Sequence, residues 1–312
     1  MKYKNWLNEW YENYVEPSAK PKTKKQYSEI IQRRLTKVLG EYELEALTPI
    51  VLQGYIAKLL KSGNLKTGKG LSVNSVLSII SVIKISLKNA YLSGRLKKYT
   101  GDKIILPRVT EKEITCFTLE EQKKMEKAIL VDNKGRMVGV LICLYTGLRI
   151  GELLALKWES IDLKRGIISV NATCHDGTDE NGKFCRITNS PKTASSKRLV
   201  PIPNRLLAIL RENKKKRKTD YVVETTSGSL PCVRYYQRAF EVFQARLNIQ
   251  RKGFHALRHT FATRALECGM DVKSLSEILG HKNAVITLNR YVHSLMNHKR
   301  ELMNKLGRNM LG

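Results

Sequence analysis

Apolar residues recur at helical spacing through the first hundred positions. Trp6, Leu7, Trp10, Tyr11 and Tyr14 form one stripe, which ends near Pro17. A second helix is expected over about residues 22–38, stopping at Gly40. Thr48-Pro49 signals another start, with threonine as cap and proline in the first turn, and that helix runs to about Lys61. Ser72 opens a long helix to about Ser93, with Val76, Ile79, Ile80, Ile83 and Leu87 facing inward. Four such helices predict a compact bundle whose apolar and aromatic stripes form its core.

Between about Lys97 and Thr115 the periodicity fails, and Thr100-Gly101-Asp102 and Pro107 interrupt the chain. A linker is expected here. Thr118-Leu-Glu-Glu121 reads as a capping box opening a helix. Further helices are expected at about residues 136–145 and 150–157. The pattern then changes to a period of two at Ile167–Val170, Phe184–Thr188 and Arg198–Ile202, with a turn-rich tip at residues 176–182. Helices return at about 204–216, 231–246, 255–268 and 272–280, and a short one reaches Tyr291. The fold class is mainly α with a small antiparallel β-sheet, an α+β chain. The expected divisions are a helical domain over 1–99, a linker over 100–115, a second domain over 116–293 and a tail helix over 294–312. In that tail, Leu295, Met296, Leu302, Met303 and Leu306 lie on a His- and Lys-rich background.

Composition narrows the class. The 312 residues suffice for two domains, and 42% hydrophobic with 27% charged residues is a globular balance. Charge is the outlier: 56 Lys+Arg against 28 Asp+Glu give +28. Residues 1–105 hold 19 basic and 8 acidic residues, the remainder 37 and 20, so both halves share the excess. Such an excess favours a polyanionic partner, because each neutralised phosphate releases condensed counterions. It also fits nonspecific binding to ribosomes, RNA or anionic lipid. The basic run Lys214–Lys218 reads as a solvated helix end. No apolar stretch approaches the length of a membrane span, and the N-terminus lacks a signal peptide's apolar segment, so a cytoplasmic protein is expected. The six cysteines at 116, 143, 174, 185, 232 and 268 show no CxxC spacing. Cys174-His175 and Cys185 can face each other across a hairpin as partial metal ligands, though zinc usually wants four ligands or three plus water.

Four late runs carry the candidate chemistry. Arg149 follows Thr146-Gly147, where a break precedes a new helix, and its guanidinium fork suits phosphate oxygens. Glu152, one turn along, can hold that arginine's orientation. His255 and Arg258 are spaced i, i+3, so both project from one helical face as proton exchanger and second phosphate clamp. His259 points elsewhere and reads as structural. Downstream come a turn at Gly269, Asp271 as cap, Leu279-Gly280-His281, Thr287 and Tyr291. A phenol titrates near ~10, so as a nucleophile Tyr291 must lose its proton during attack. Arginines and histidines around it favour that loss and the charge building on phosphorus oxygens. Lys192 lies at a turn between two expected strands, where a lysine can reach a nucleic-acid groove and protonate a leaving oxygen; Lys197 competes for that role. The sequence shows no Asp/Glu cluster suited to two-metal cleavage, no GKS or GKT phosphate loop and no Cys/His finger spacing, so no cofactor or metal is expected.

These runs together resemble the tyrosine recombinases of the phage-integrase type. The carriers are Thr146-Gly-Leu-Arg149-Ile-Gly-Glu152-Leu, Pro191-Lys192-Thr193 with Arg198-Leu-Val-Pro-Ile-Pro, His255-Ala-Leu-Arg258-His-Thr-Phe-Ala-Thr, and Leu279-Gly-His281 with Thr287 and Tyr291. The helical first half resembles that family's core-binding domain. The resemblance implies a C-shaped clamp around double-stranded DNA, formed by core-binding and catalytic domains. It implies attack by Tyr291, giving a 3′-phosphotyrosine and a 5′-hydroxyl, with Arg149 and Arg258 on the nonbridging oxygens. His255 and His281 assist and Lys192 acts as general acid. The ester keeps the bond energy, so rejoining needs no ATP, in keeping with phosphoryl transfer governed by positioning and electrostatics. Four protomers are expected to work through a Holliday junction, the tail docking on a neighbour, with an excisionase or host DNA-bending protein as accessory, at a bacterial nucleoid. Integrases of mobile elements often carry an additional N-terminal arm-binding domain, whereas this sequence opens on the bundle, as a simpler or a trimmed recombinase would. Integration and excision of a mobile element is the leading expectation. The alternatives are a chromosome-dimer resolvase or invertase of the same chemistry, and a noncatalytic DNA-binding regulator.

Overall fold

The computed structural model describes residues 1–109, 115–132, 135, 137–178, 184–189, 197–225, 228–281, 283–285, 300, 303–304 and 306–308. Lys192 and Tyr291 lie outside the described residues, as does most of the expected tail. The chain divides into two compact units, Met1–Lys112 and Glu113–Gly312.

The first unit is helical. Helix α1 (Tyr3–Trp10) continues into a π-helical turn at Tyr11–Val15. Helix α2 (Pro21–Ile30) passes through a second such turn, Ile31–Leu35, into α3 (Thr36–Leu39). The single helix expected over 22–38 is therefore two α-helical pieces joined by a wider turn. Helices α4 (Pro49–Ser62) and α5 (Val73–Leu92) start where their caps predict. Thr48 accepts the Val51 amide at 3.5 Å and Ser72 the Ser75 amide at 3.3 Å. Trp6, Leu7, Trp10, Leu52, Ile56, Val76, Ile80 and Ile83 are buried together. Inside that core Ser86 binds the polar atoms of two aromatics, its carbonyl accepting Trp6 Nε1 at 3.0 Å and its hydroxyl meeting that of Tyr3 at 2.7 Å.

Helix α5 departs from the sequence expectation in one respect. It is long and apolar enough to cross a membrane by composition, with mean hydropathy 1.3. Its apolar side is spent on the bundle, however, with Val76 through Leu87 packed against the other helices. Residues 101–105, expected as linker, also pack onto this unit: Ile104 is buried in its core, and the Ile105 backbone bonds the Gln53 side chain at 3.1 and 3.4 Å.

The second unit begins with α6 (Leu119–Val131), whose capping box is present. Thr118 Oγ1 accepts the Glu121 amide at 3.1 Å, and the Glu121 carboxylate accepts the Thr118 amide at 2.8 Å. Helix α7 (Val138–Thr146) is apolar all round and forms the centre of the unit. Helix α8 (Ile150–Leu154) follows, then strands β1 (Ile161–Asp162), β2 (Ile167–Val170), β3 (Thr173–Thr178), β4 (Phe184–Asn189) and β5 (Arg198–Pro201). Among the described residues there follow α9 (Asn204–Lys215), α10 (Val233–Arg246), α11 (His255–Glu267) and α12 (Val272–Leu279).

The strands form two sheets rather than one among the described residues. Strands β1, β2 and β5 make an antiparallel sheet in the order β1-β2-β5, and β3 with β4 makes a separate ribbon. Strand β3 is missing from the sequence reading because Asp176 and Gly177 are turn formers. Both have structural uses within the strand. A Cβ on Gly177 would lie 2.4 Å from Ile187 on β4. The Asp176 carboxylate accepts the Val233 and Arg234 amides, each at 2.8 Å, and so neutralises the first turn of α10. The ribbon's register narrows the partial metal site: Cys174 pairs with Thr188, and Cys185 with Gly177, which leaves His175 rather than Cys174 on the Cys185 face. An offset of three residues puts the two thiols on opposite faces of the ribbon.

Candidate active site

Helix α7 stops at Gly147, which has a φ of +66°, a left-handed conformation that glycine adopts without strain. A Cβ there would meet Phe261 at 2.5 Å and Leu279 at 2.8 Å. The abrupt stop sets Arg149 in extended backbone immediately before α8. The Glu152 carboxylate accepts the Arg149 amide at 2.9 Å and Arg149 Nη1 at 2.8 Å, which is the pairing the spacing predicts.

Glu152 is shared with a residue that the sequence reading leaves without a role. Arg198 of β5 donates to both carboxylate oxygens, through Nη1 at 3.1 Å and Nη2 at 2.9 Å. The Arg198 and Glu152 side chains are 6% and 7% exposed. Burial alone would raise the Glu152 pKa, but the Arg198 hydrogen bonds and the charges of Arg198 and Arg149 outweigh it and hold the carboxyl at about 2. Because the folded value is depressed, the charged group stabilises the fold above its ordinary 4.5 and loses that contribution as pH falls toward 2. The contribution is about 3 kcal/mol. Melting temperature should therefore fall through this window, and Glu152→Gln should flatten that part of the profile; a parallel profile for the variant would contradict the assignment.

Helix α12 is capped as expected by Asp271, whose carboxylate accepts the Ser274 amide at 2.9 Å. It ends at Gly280 with φ +65°. The Gly280 amide donates to Glu277 O and the His281 amide to Ser276 O, both at 3.0 Å, a Schellman closure. The next three carbonyls each receive a different arginine. Ile278 O accepts Arg198 Nε at 2.5 Å, Leu279 O accepts Arg258 Nη2 at 2.6 Å, and Gly280 O accepts Arg149 Nη2 at 3.4 Å. The negative end of α12 is thus closed by guanidinium groups from a strand, from α11 and from the α8 entry.

Arg258 joins two helix ends. Its Nη1 donates to Gly147 O at 2.8 Å, and its Nη2 also lies 3.0 Å from His281 Nε2. A guanidinium only donates, so Nε2 of His281 accepts and the ring proton sits on Nδ1. Arg258 is 2% exposed, whereas the Arg149 side chain is 37% exposed. His255 stands exposed at the first residue of α11. Its ring meets that of His259 edge-on, with centroids 4.5 Å apart. His259 is buried and faces His255 rather than pointing elsewhere, a relation available from the i, i+4 spacing. The structure therefore brings Arg149, Arg258 and His281 together and seats His255 on the same helix as Arg258. Lys197 is exposed at the edge of β5. Among the described residues, three guanidinium groups against one carboxylate leave the cluster positive, suited to an anionic centre such as a phosphate.

Comparison with known proteins places this geometry in a class. Residues 108–298 match the profile of the phage integrase family, and residues 2–60 match the phage integrase N-terminal SAM-like domain. The tyrosine recombinase XerC-like protein of Caldanaerobacter subterraneus subsp. tengcongensis is 30% identical over 96% of this chain and 81% of its own length. The ICEBs1 integrase of Bacillus subtilis is 24% identical, over 93% of this chain and 79% of that protein. The structure of the Tn1549 transposon integrase in complex with a circular intermediate DNA superposes with a TM-score of 0.82 at 20% identity, covering 98% of this chain and 99% of that one.

The chain belongs to the phage integrase family of tyrosine recombinases. It is a site-specific DNA recombinase, an enzyme of the class that works through a covalent tyrosine intermediate.

Proposed function

We propose that this recombinase integrates and excises a mobile genetic element, with Arg149, Lys192, His255, Arg258, His281 and Tyr291 as its active site. Tyr291 attacks the scissile phosphate, and its ester conserves the energy for rejoining. Arg149 and Arg258 supply fixed positive charge to the phosphate, His255 and His281 handle protons, and Lys192 protonates the leaving oxygen. The observation that carries the site assignment is the meeting of Arg149, Arg258 and His281 at the end of α12, from three separate elements. The mobile-element role is supported by similarity to the ICEBs1 integrase and to the Tn1549 transposon integrase fold. The helical unit is assigned to core-site DNA, and the assembly on DNA is a homotetramer. Exposed Met303 and Leu306 in the tail support its docking on a neighbouring copy. An excisionase or host DNA-bending protein belongs to the same reading, as does work at a bacterial nucleoid.

The deciding experiment incubates the protein with a plasmid carrying the junctions that flank its own gene and sequences the products. Joined element ends and a restored target support the integrase reading. Recombination confined to a single chromosomal site would favour a chromosome-dimer resolvase instead. Affinity for such DNA should fall steeply with salt, as the net charge of +28 demands. With about 6–10 phosphate contacts, the loss between 50 and 200 mM salt is about 10³- to 10⁵-fold. A flat titration by mobility shift would contradict phosphate-dominated binding.

A further inference from the structure

The geometry points to Arg198 as a positioning residue for Arg149, acting through Glu152. This rests on the recombinase site proposed above. Arg198 is too deeply buried to meet a substrate itself, with its side chain 6% exposed against 37% for Arg149. Both arginines use the same two oxygens. Oε1 of Glu152 takes Nη1 of Arg149 at 2.8 Å and Nη1 of Arg198 at 3.1 Å. Oε2 takes the Arg149 amide at 2.9 Å and Nη2 of Arg198 at 2.9 Å. A carboxylate has about four acceptor positions, and these four donors fill them. The Arg198 fork fixes the carboxylate plane from the buried side, so the outward guanidinium of Arg149 is left with one bonded orientation.

Arg198 is itself anchored at a third point, its Nε on Ile278 O at 2.5 Å. A Cβ on Gly280 would come within 3.0 Å of its Cδ, so the glycine that ends α12 also makes room for its stem. This arrangement ties strand β5, helix α8 and the end of α12 to the orientation of one exposed cation. The pair also stabilises the fold, as the depressed Glu152 pKa shows, so the positioning role rests on the shared geometry around Arg149 and not on burial alone.

The test uses the full chain and a nicked duplex carrying its recombination site. It measures single-turnover formation of the covalent adduct, DNA affinity and melting temperature. Arg198→Gln should slow adduct formation about 10- to 100-fold through misplacement of Arg149, with affinity changed less than about threefold. The double variant of Arg198→Gln with Glu152→Gln should be no slower than the slower single, because both break one linkage. Arg198→Lys, which keeps the charge but not the fork, should recover melting temperature more than rate. An Arg198→Gln rate within about twofold of the parent, or single losses that multiply in the double variant, would overturn the proposal. So would Arg198→Lys with both parental melting temperature and parental rate, a result that remains informative if Arg198→Gln fails to fold. A parent protein that forms no adduct overturns the recombinase site itself rather than the role of Arg198.

Discussion

Tyr291→Phe is expected to bind core-site DNA with parental affinity and to form no covalent adduct on a suicide substrate. The substitution removes one oxygen and leaves the ring, so only the proposed nucleophile is lost. The loss should reach the background of the assay, since the attacking oxygen assigned to Tyr291 is removed. Thirteen tyrosines make the assignment worth testing directly. Several are poor nucleophiles on physical grounds. Burial pushes the Tyr55 phenol up to about 12 and those of Tyr3 and Tyr236 higher still, which disfavours the phenolate. An adduct on the Tyr291→Phe protein, mapped by proteolysis and mass spectrometry, would move the nucleophile elsewhere.

Arg258→Lys is expected to cost more than a conserved charge suggests. A guanidinium reaches Gly147 O with one nitrogen and Leu279 O and His281 Nε2 with another. A lysine offers one nitrogen, which cannot span two helix ends, and a buried carbonyl is left without its donor. The fold should lose about 2 kcal/mol, lowering the melting temperature by roughly 4–8 °C. Adduct formation should fall by about 100-fold or more if, as proposed, the same cation supplies fixed charge for the phosphate. Parental melting and a rate within about threefold would show that Arg258 neither joins the helices nor serves the reaction.

Much of this arrangement is legible in the sequence wherever a local rule decides the outcome. Thr118 with Glu121, Thr48 with Pro49, Ser72 and Asp271 are start signals that need nothing beyond neighbouring residues, and each forms the bond it promises. The pairing of Arg149 with Glu152 is likewise a matter of one helical turn. What escapes are long-range relations. Strand β3 hides behind Asp176 and Gly177, whose reasons for being there lie on α10 and β4. Arg198 is harder still, since a cation in a strand ordinarily faces water. Leu199 and Val200 are both apolar, so the sequence does not say which faces inward; the structure buries Val200 and leaves Leu199 64% exposed. The alternation of a strand therefore turns Arg198 inward. Recognising that the buried face held a carboxylate required Glu152 to be brought there from 46 residues away.

The three carbonyls at the end of α12 carry a lesson for how such enzymes diverge. Every amino acid brings the same carbonyl, so the side chains at positions 278 and 279 can be exchanged for others of similar bulk without removing an acceptor from the arginine cradle. The glycine at 280 has no such latitude, because a side chain there would both resist the left-handed turn and crowd Arg198. Libraries aimed at new target sequences can therefore vary positions 278 and 279 among residues of similar bulk, provided Gly280 and the adjoining His281 are held fixed.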